Sequence, residues 1–185
     1  MTIEMAGQVH RLRVYLRDGQ VSSASVEMGK VSFSAEQIPV CLGLPEVINH
    51  PLSIAGRQDR VTCVSVGNPH CVIFTDAMDS IDLAAVGPMY ESAPCFPQRV
   101  NTEFVRVINR TTLRLRVWER GNGETLACGT GACAAVAAAV RNGYCEAGKD
   151  ILVKLPGGDL TVRETDGQIT LTGDTNLVFE GEFCY

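Results

Sequence analysis

The segment GACAAVAAAVRNGY at residues 131–144 carries alanine or valine on every side of the helix it encodes, with Gly143 placed as the C-terminal stop. A helix that is apolar all round has no face to give to water. The rest of the chain must therefore enclose it. With 185 residues, 45% of them hydrophobic, there is enough material to build such an enclosure as one large domain or two small ones.

Strands supply most of that material. VHRLRVYLRDGQVSSASVEMG at 9–29 reads as two strands joined at Asp18-Gly19, a dipeptide suited to the positive φ of a tight hairpin. Residues 37–60 hold Pro39, Gly43, Pro45, Pro51 and Gly56 and read as loop, with a short strand or helical turn inside. VTCVSVGNPHCVIFT at 61–75 reads as a buried strand bent sharply at Gly67-Asn68-Pro69, which lifts Asn68 and His70 out of the ladder.

IDLAAVGPMYE, up to Glu91, predicts a short helix ending near Gly87-Pro88. RVNTEFVRVINRTTLRLRVWERG at 99–121 alternates as a half-buried antiparallel strand, with Leu113, Leu115 and Val117 on one face and Arg114, Arg116 and Trp118 on the other. After the alanine helix, KDILVKLPGGDLTVRETDGQITLTG gives three strands, turning at Pro156-Gly157-Gly158 and at Asp166-Gly167. The expected fold is α+β: a curved, mostly antiparallel sheet or partial barrel around a central buried helix.

Several function classes are set aside by composition. The net charge is −5, with no run of like charges, so there is no basic footprint for nucleic acid. No window holds the ~20 apolar residues of a membrane span, and the N-terminus lacks the pattern of a signal peptide, so the expected compartment is the cytoplasm. The eight cysteines include no C-x-x-C pair and no zinc-like spacing with histidine, and they read as reduced thiols.

Chemistry concentrates in WERGNGETLACGTGAC at 118–133. If the helix begins near Gly131, then Cys128, Gly129 and Thr130 lie at its first turn, where backbone N–H groups lack intrahelical partners and the macrodipole is positive. Such a turn can hold a carboxylate or phosphate, with glycines allowing close approach. It should also acidify a thiol, from about 8.5 towards ~3.5 to 7.5, making it a base or nucleophile near neutral pH. The bland alternative is a buried, inert cysteine, and that reading is preferred for Cys133.

Glu119-Arg120 is either an exposed surface pair or a carboxylate and guanidinium that grip the two charged ends of an amino acid. Asn68 and Asn101 are turn residues or paired donors and acceptors, and His70 is a structural histidine or a group near a site.

Four stretches resemble the diaminopimelate epimerase family, in order and at its spacings: GNPHCV at 67–72, FPQRVNTEFV at 96–105, ERGNGETLACGTGACAA at 119–135 and LPGGDL at 155–160. The resemblance implies a cofactor-independent epimerase that converts LL-diaminopimelate to the meso form, for lysine and peptidoglycan synthesis. It implies two similar α+β domains facing across a cleft, each with one cysteine, so that one thiolate removes the α-proton and the other thiol delivers one to the opposite face. Cys128 matches the second of these cysteines. Gly129 and Thr130 match the donors to the substrate's α-carboxylate, Asn68 and Asn101 match contacts to its distal end, and Glu119 with Arg120 matches the substrate-binding pair. His70 and Glu119 also match positions important for catalysis.

The chain begins well inside the family's pattern, and the glycine-rich motif with the other catalytic cysteine has no counterpart. The resemblance therefore implies that residues 1–28 are remnant strands of the first domain, 29–173 the second domain, and 174–185 a strand returning to the first. Stranded edges invite a missing first half or a second copy as partner, and the chain alone is expected to lack activity. Other readings stay open: an epimerase or racemase of the same fold acting on another amino acid, a cysteine-nucleophile hydrolase or acyltransferase with His70 as base, and a non-catalytic module that holds an anion or assembles with other chains.

Overall fold

The computed structural model describes residues 1–5, 8–54 and 56–182. β1 (Thr2–Met5), β2 (Gln8–Arg17) and β3 (Gln20–Lys30) form an antiparallel meander. Between β2 and β3, Asp18 and Gly19 take φ of 53° and 79°, the paired positive values expected of this hairpin turn. The stretch expected as loop with a short strand or helical turn inside holds a short strand, β4 (His50–Ile54), paired with β5 (Arg57–Ser65). Pro51 is tolerated there because β4 is the outermost strand at that end of the sheet.

β6 (Pro69–Phe74) returns antiparallel along β5. This corrects the expected placement of His70: it sits in the ladder, opposite Val64 on β5 and Asn101 on the next strand. The bend, with Gly67 at φ 91°, is complete before Pro69, so strand alternation resumes in time to turn His70 inward.

A short 3-10 turn at Met78–Ser80 leads to α1 (Leu83–Glu91), whose N-cap Asp82 accepts a hydrogen bond from the Ala85 N–H at 3.2 Å. Contrary to expectation, α1 does not stop at Gly87-Pro88. Pro88 removes only its own donor, and the Pro88 carbonyl still accepts from the Ser92 N–H at 3.2 Å.

The segment expected as one strand is two, β7 (Asn101–Asn109) and β8 (Thr112–Glu119), paired antiparallel. Asn109 makes the turn by accepting from the Thr111 N–H and hydroxyl at 2.9 and 3.0 Å. β9 (Gly123–Thr125) folds back on β8, and α2 (Gly129–Arg141) follows, ended by Asn142 and by Gly143 at φ 77°. The last three strands are β10 (Asp150–Leu155), β11 (Gly158–Thr165) and β12 (Gln168–Asp174).

Sheet order is β1-β2-β3-β12-β11-β10-β8-β7-β6-β5-β4, with β9 attached to β8. Only β10/β8 and β6/β7 run parallel among these pairs. The sheet curls around α2, which packs on β5 to β8 and on β10 to β12, while the end strands β1 and β4 stay apart. Every residue of α2 from Gly131 to Ala139 is buried, as its sequence requires. The expected α+β architecture, a curved and mostly antiparallel sheet around one central helix, is what the chain adopts.

The middle strands are covered on both faces. On β5 to β7, Val64, Val72 and Val105 join the core around α2, whereas Cys63, Cys71, Ile73 and Phe104 join a second core with α1 and residues 35–47. This two-sided burial explains the continuous apolar runs there. β3 pairs with β12, so β1 to β3 extend the same sheet. Of the strand expected over 174–185, Asp174 ends β12 and the Thr175 N–H still donates to Ser22 at 3.1 Å. Residues 176–182 join no ladder among the described residues, and 183–185 lie outside them. No helix among the described residues is long and apolar enough to cross a membrane.

Candidate active site

Three strand ends converge beneath the start of α2. Residues two apart on a strand share a face, so His70 lies with Val72, Asn101 and Glu103 with Val105, and Glu119 with Leu115. Those three apolar partners belong to the core around α2. The concave face is thus apolar in its depth and polar where the helix begins.

A chain of hydrogen bonds crosses that polar end. Glu103 Oε1 lies 2.7 Å from His70 Nδ1, and His70 Nε2 lies 2.9 Å from Asn68 Oδ1. Asn68 Nδ2 donates to Thr130 Oγ1 at 3.3 Å, and Thr130 Oγ1 lies 3.5 Å from Cys128 Sγ. Cys128 is the N-cap of α2, with φ −141° and ψ 112°, and its sulfur accepts from the Gly131 N–H at 3.3 Å. In place of the usual hydroxyl or carboxylate cap stands a thiol.

The N-terminal position of Cys128 is as expected, but the expected acidification is not found. Burial pushes the Cys128 thiol above its ordinary value, and the Thr130 and Gly131 donors only partly oppose this. Charge on Glu119 pushes the same way as burial, as would any charge on Glu103. The positive helix end was legible in the sequence; the desolvation and the two facing carboxylates were not. At neutral pH the group rests as a thiol, a proton donor. Cys133 belongs to the core as expected, its thiol pushed up to about 12 by burial first and by Cys128 second.

The other expected residues divide. Glu119, half-buried at the end of β8, accepts a short hydrogen bond from the Thr125 hydroxyl. Asn101 is fully engaged as a tie: its Nδ2 donates to the Pro69 carbonyl at 3.1 Å, and its Oδ1 accepts from the Arg120 N–H at 2.8 Å. The Arg120 guanidinium reaches the Gln98 carbonyl at 2.9 Å, so Arg120 stands beside the site through its backbone. Gly129 opens the helix, and a Cβ there would lie 3.2 Å from Leu171. Among the described residues no cluster of three or more His, Cys, Asp or Glu side chains is arranged to hold a metal ion.

Sequence reasoning missed two carboxylates. Glu103 is fully buried, and its Oε1 would lie 3.1 Å from a Cβ at Gly131, so that glycine exists to let the helix settle on the carboxyl group. Alternation from Asn101 pointed to it, but its apolar neighbours hid it. Glu91 lies at the end of α1 and accepts from Trp118 Nε1 at 2.6 Å and from the Gly121 N–H at 2.9 Å, with Arg99 paired to it as well. It fixes the corner that carries Glu119 and Arg120.

The family model described as diaminopimelate epimerase matches residues 62–178, which takes in every residue of this constellation. The chain belongs to the diaminopimelate epimerase family. It is 42% identical over 191 residues to the diaminopimelate epimerase of Desulfovibrio desulfuricans, covering 99% of this chain and 66% of that protein. It is 49% identical over 167 residues to the diaminopimelate epimerase of Rippkaea orientalis, covering 88% of this chain and 58% of that one. The chain therefore spans roughly three fifths of the length of such relatives.

Solved structures share the fold at lower identity. A hydroxyproline epimerase from Agrobacterium vitis superposes with a TM-score of 0.63 at 16% identity, over 93% of this chain and 56% of that one. A phenazine biosynthesis protein of the PhzF family from Bacillus anthracis gives 0.57 at 13%, over 93% and 64%.

Proposed function

We propose that the chain is the Cys128-bearing portion of a cofactor-independent epimerase that interconverts LL- and meso-diaminopimelate, for lysine and peptidoglycan synthesis in the cytoplasm. The observation that carries the proposal is the thiol at the N-cap of α2, with the N–H groups of Gly129 and Thr130 beside it in the first turn, where a helix offers no internal acceptor. A substrate α-carboxylate held on those N–H groups puts the α-carbon next to Cys128 Sγ. The helix end then stabilises the negative charge that develops when the α-proton leaves.

Cys128 acts on one face of the α-carbon. Resting as a thiol, it gives its proton to the carbanion formed by a base on the other face. In the reverse direction its thiolate removes that proton. By the family resemblance Asn68 and Asn101 with Glu119 and Arg120 serve the distal amino-acid end and the substrate's charges; here Asn101 does so as the tie that sets the Arg120 backbone, and the Arg120 side chain must leave the Gln98 carbonyl to reach substrate. Glu119 acts on the proton affinity of the sulfur directly, and His70 acts through Asn68 and Thr130. The free state of all seven described cysteines suits a reducing compartment.

In this reading the second base comes from outside the described residues. Among the described cysteines, Cys63 and Cys71 lie in the second core, Cys133 and Cys145 in the core around α2, and Cys41 is tied by its N–H to the Cys95 carbonyl at 2.8 Å. In this reading residues 1–28 and 174–185 belong to a first domain completed by further chain or by a partner, and 29–173 form the second domain. Exposed apolar side chains in those two segments, among them Val9, Leu16, Leu177, Val178 and Phe179, suit burial against it.

The hydrolase alternative is weaker, because both ring nitrogens of His70 are engaged by Glu103 and Asn68 rather than by the sulfur. Deuterium incorporation at the α-carbon of diaminopimelate in D2O tests the proposal. Exchange is expected once the N-terminal portion of a family member is supplied, and its loss is expected in Cys128→Ser. Acyl trapping at Cys128 by an activated ester, dependent on His70, would support the hydrolase instead.

A further inference from the structure

We propose that Glu103 is a positioning residue: as a neutral carboxylic acid it donates to His70 Nδ1, and so fixes the Nε2–H tautomer that orients a relay of donors onto Cys128 Sγ. The inference rests on reading Cys128 as an acid/base thiol.

Two observations carry it. The first is the direction of the chain. Asn68 uses its amide N–H on Thr130, so the oxygen it presents to His70 accepts, and His70 Nε2 must bear a hydrogen. The Thr130 hydroxyl, having accepted from Asn68, has its own hydrogen to give to Cys128 Sγ, where the Gly131 N–H also arrives. In the proposed relay every hydrogen from His70 onward then points towards the sulfur.

The second observation is the partnerless oxygen. Glu103 is fully buried, and its Oε2 has no hydrogen-bond partner among the described residues while Oε1 meets His70 Nδ1. An ionised carboxylate would leave a charged oxygen unsatisfied in a dry interior, at a cost greater than that of a neutral carbonyl. A proton on Oε1 removes the charge and makes Oε1 the donor to Nδ1. Burial pushes the Glu103 carboxyl up in the same sense, against the pull of His70 and with the help of Glu119.

The groups facing Glu103 are His70, Glu119 and Cys128, with Cys71 within reach of its charge from the other face of β6, and those facing Cys128 are Glu103, Glu119, Thr130, Gly131 and Cys133. Without a donor at Nδ1, the ring can carry its hydrogen there instead. Asn68 then turns over, Thr130 donates to Asn68, and the sulfur loses one donor.

The test is the pH profile of Cys128 alkylation by iodoacetamide on the chain as it stands, read site by site by mass spectrometry. Glu103→Leu removes the donor and is expected to slow alkylation at a fixed pH below the midpoint by about three- to tenfold, the equivalent of one lost hydrogen bond. Glu103→Gln is expected to restore the rate to within about twofold, because an amide N–H can replace the acid O–H, and the reverse setting would leave both amide hydrogens facing the partnerless side. A Glu103→Leu protein that is folded and alkylates like the unsubstituted chain would overturn the proposal. So would a Glu103→Gln protein shifted as far as Glu103→Leu.

Nitrogen-15 NMR of His70 in the unsubstituted chain needs no variant. A neutral ring with hydrogen on Nε2 is expected, and an imidazolium, or hydrogen on Nδ1 alone, would contradict it. None of these measurements needs turnover. Absence of α-proton exchange in a completed enzyme would remove the epimerase reading and leave the relay standing, and failure of the relay would leave the epimerase reading intact.

Discussion

Cys128 is held between two opposed influences, donors that favour the thiolate and burial beside acidic side chains that favours the thiol, and the second prevails. Its alkylation midpoint is therefore expected above the ~8.5 of a free cysteine, with the rate rising through that range as the thiolate forms. Cys133, pushed up to about 12, should stay unmodified in the folded chain over the same pH range. A Cys128 midpoint below that of free cysteine would contradict this ordering. The location of Cys128 was legible because glycines, a threonine and an alanine run mark a helix start. Its proton affinity was not, since that depends on Glu103 and Glu119, which approach from two other strands. Glu103 itself was hidden in a stretch where both faces of the strand are buried, so that a lone polar residue gives no periodic signal.

At the scale of elements, α1 is held to the sheet by two contacts the sequence did not advertise. Gly87 packs against Trp118 so closely that a Cβ there would fall 2.1 Å from the ring. Gly87→Ala must displace the indole, and chemical denaturation is expected to show a loss of about 1–3 kcal/mol, as overpacking costs elsewhere. Glu91 would be raised by burial alone, but donors from Trp118, Gly121 and Arg99 hold it below the usual carboxylate value.

A depressed carboxyl contributes stability above its unfolded pKa and loses it as pH falls through the folded one, so unfolding should become easier as pH drops below ~4. Glu91→Gln should remove that dependence and cost about 1.5–3 kcal/mol at neutral pH, measured by the same denaturation. Elements with strong local signals were readable: the Asp18-Gly19 hairpin, the alanine helix and the last three strands. Those set by tertiary contact were not. α1 passes through Pro88 because its far end is anchored, and His70 belongs to a ladder that the Gly67-Asn68-Pro69 signal seemed to interrupt.

For the whole molecule, the helix that cannot face water dictates the architecture, and this much follows from sequence: α2 needs a sheet curled around it, and seven strands provide one. How the sheet ends could not be read, because strand order depends on pairings distant in sequence, such as β3 with β12 and β8 with β10. The apolar side chains left exposed at β2, β3 and residues 177–179 lead to a further expectation. Sedimentation of the chain alone should show concentration-dependent association, and substituting Leu16 and Val178 with Lys should reduce it. A monomer at all concentrations would argue that this surface needs no cover.

The central claim is that Cys128 is one of two opposed acid/base groups and that its opposite lies outside the described residues. The most direct measurement is deuterium incorporation at the α-carbon of diaminopimelate in D2O, by the chain alone and after addition of the N-terminal portion of a family member that carries the glycine-rich cysteine motif. Incorporation with inversion is expected only in the completed protein, and not when its Cys128 is replaced by Ser. Full epimerisation by the chain alone, or undiminished epimerisation by the completed Cys128→Ser protein, would contradict it.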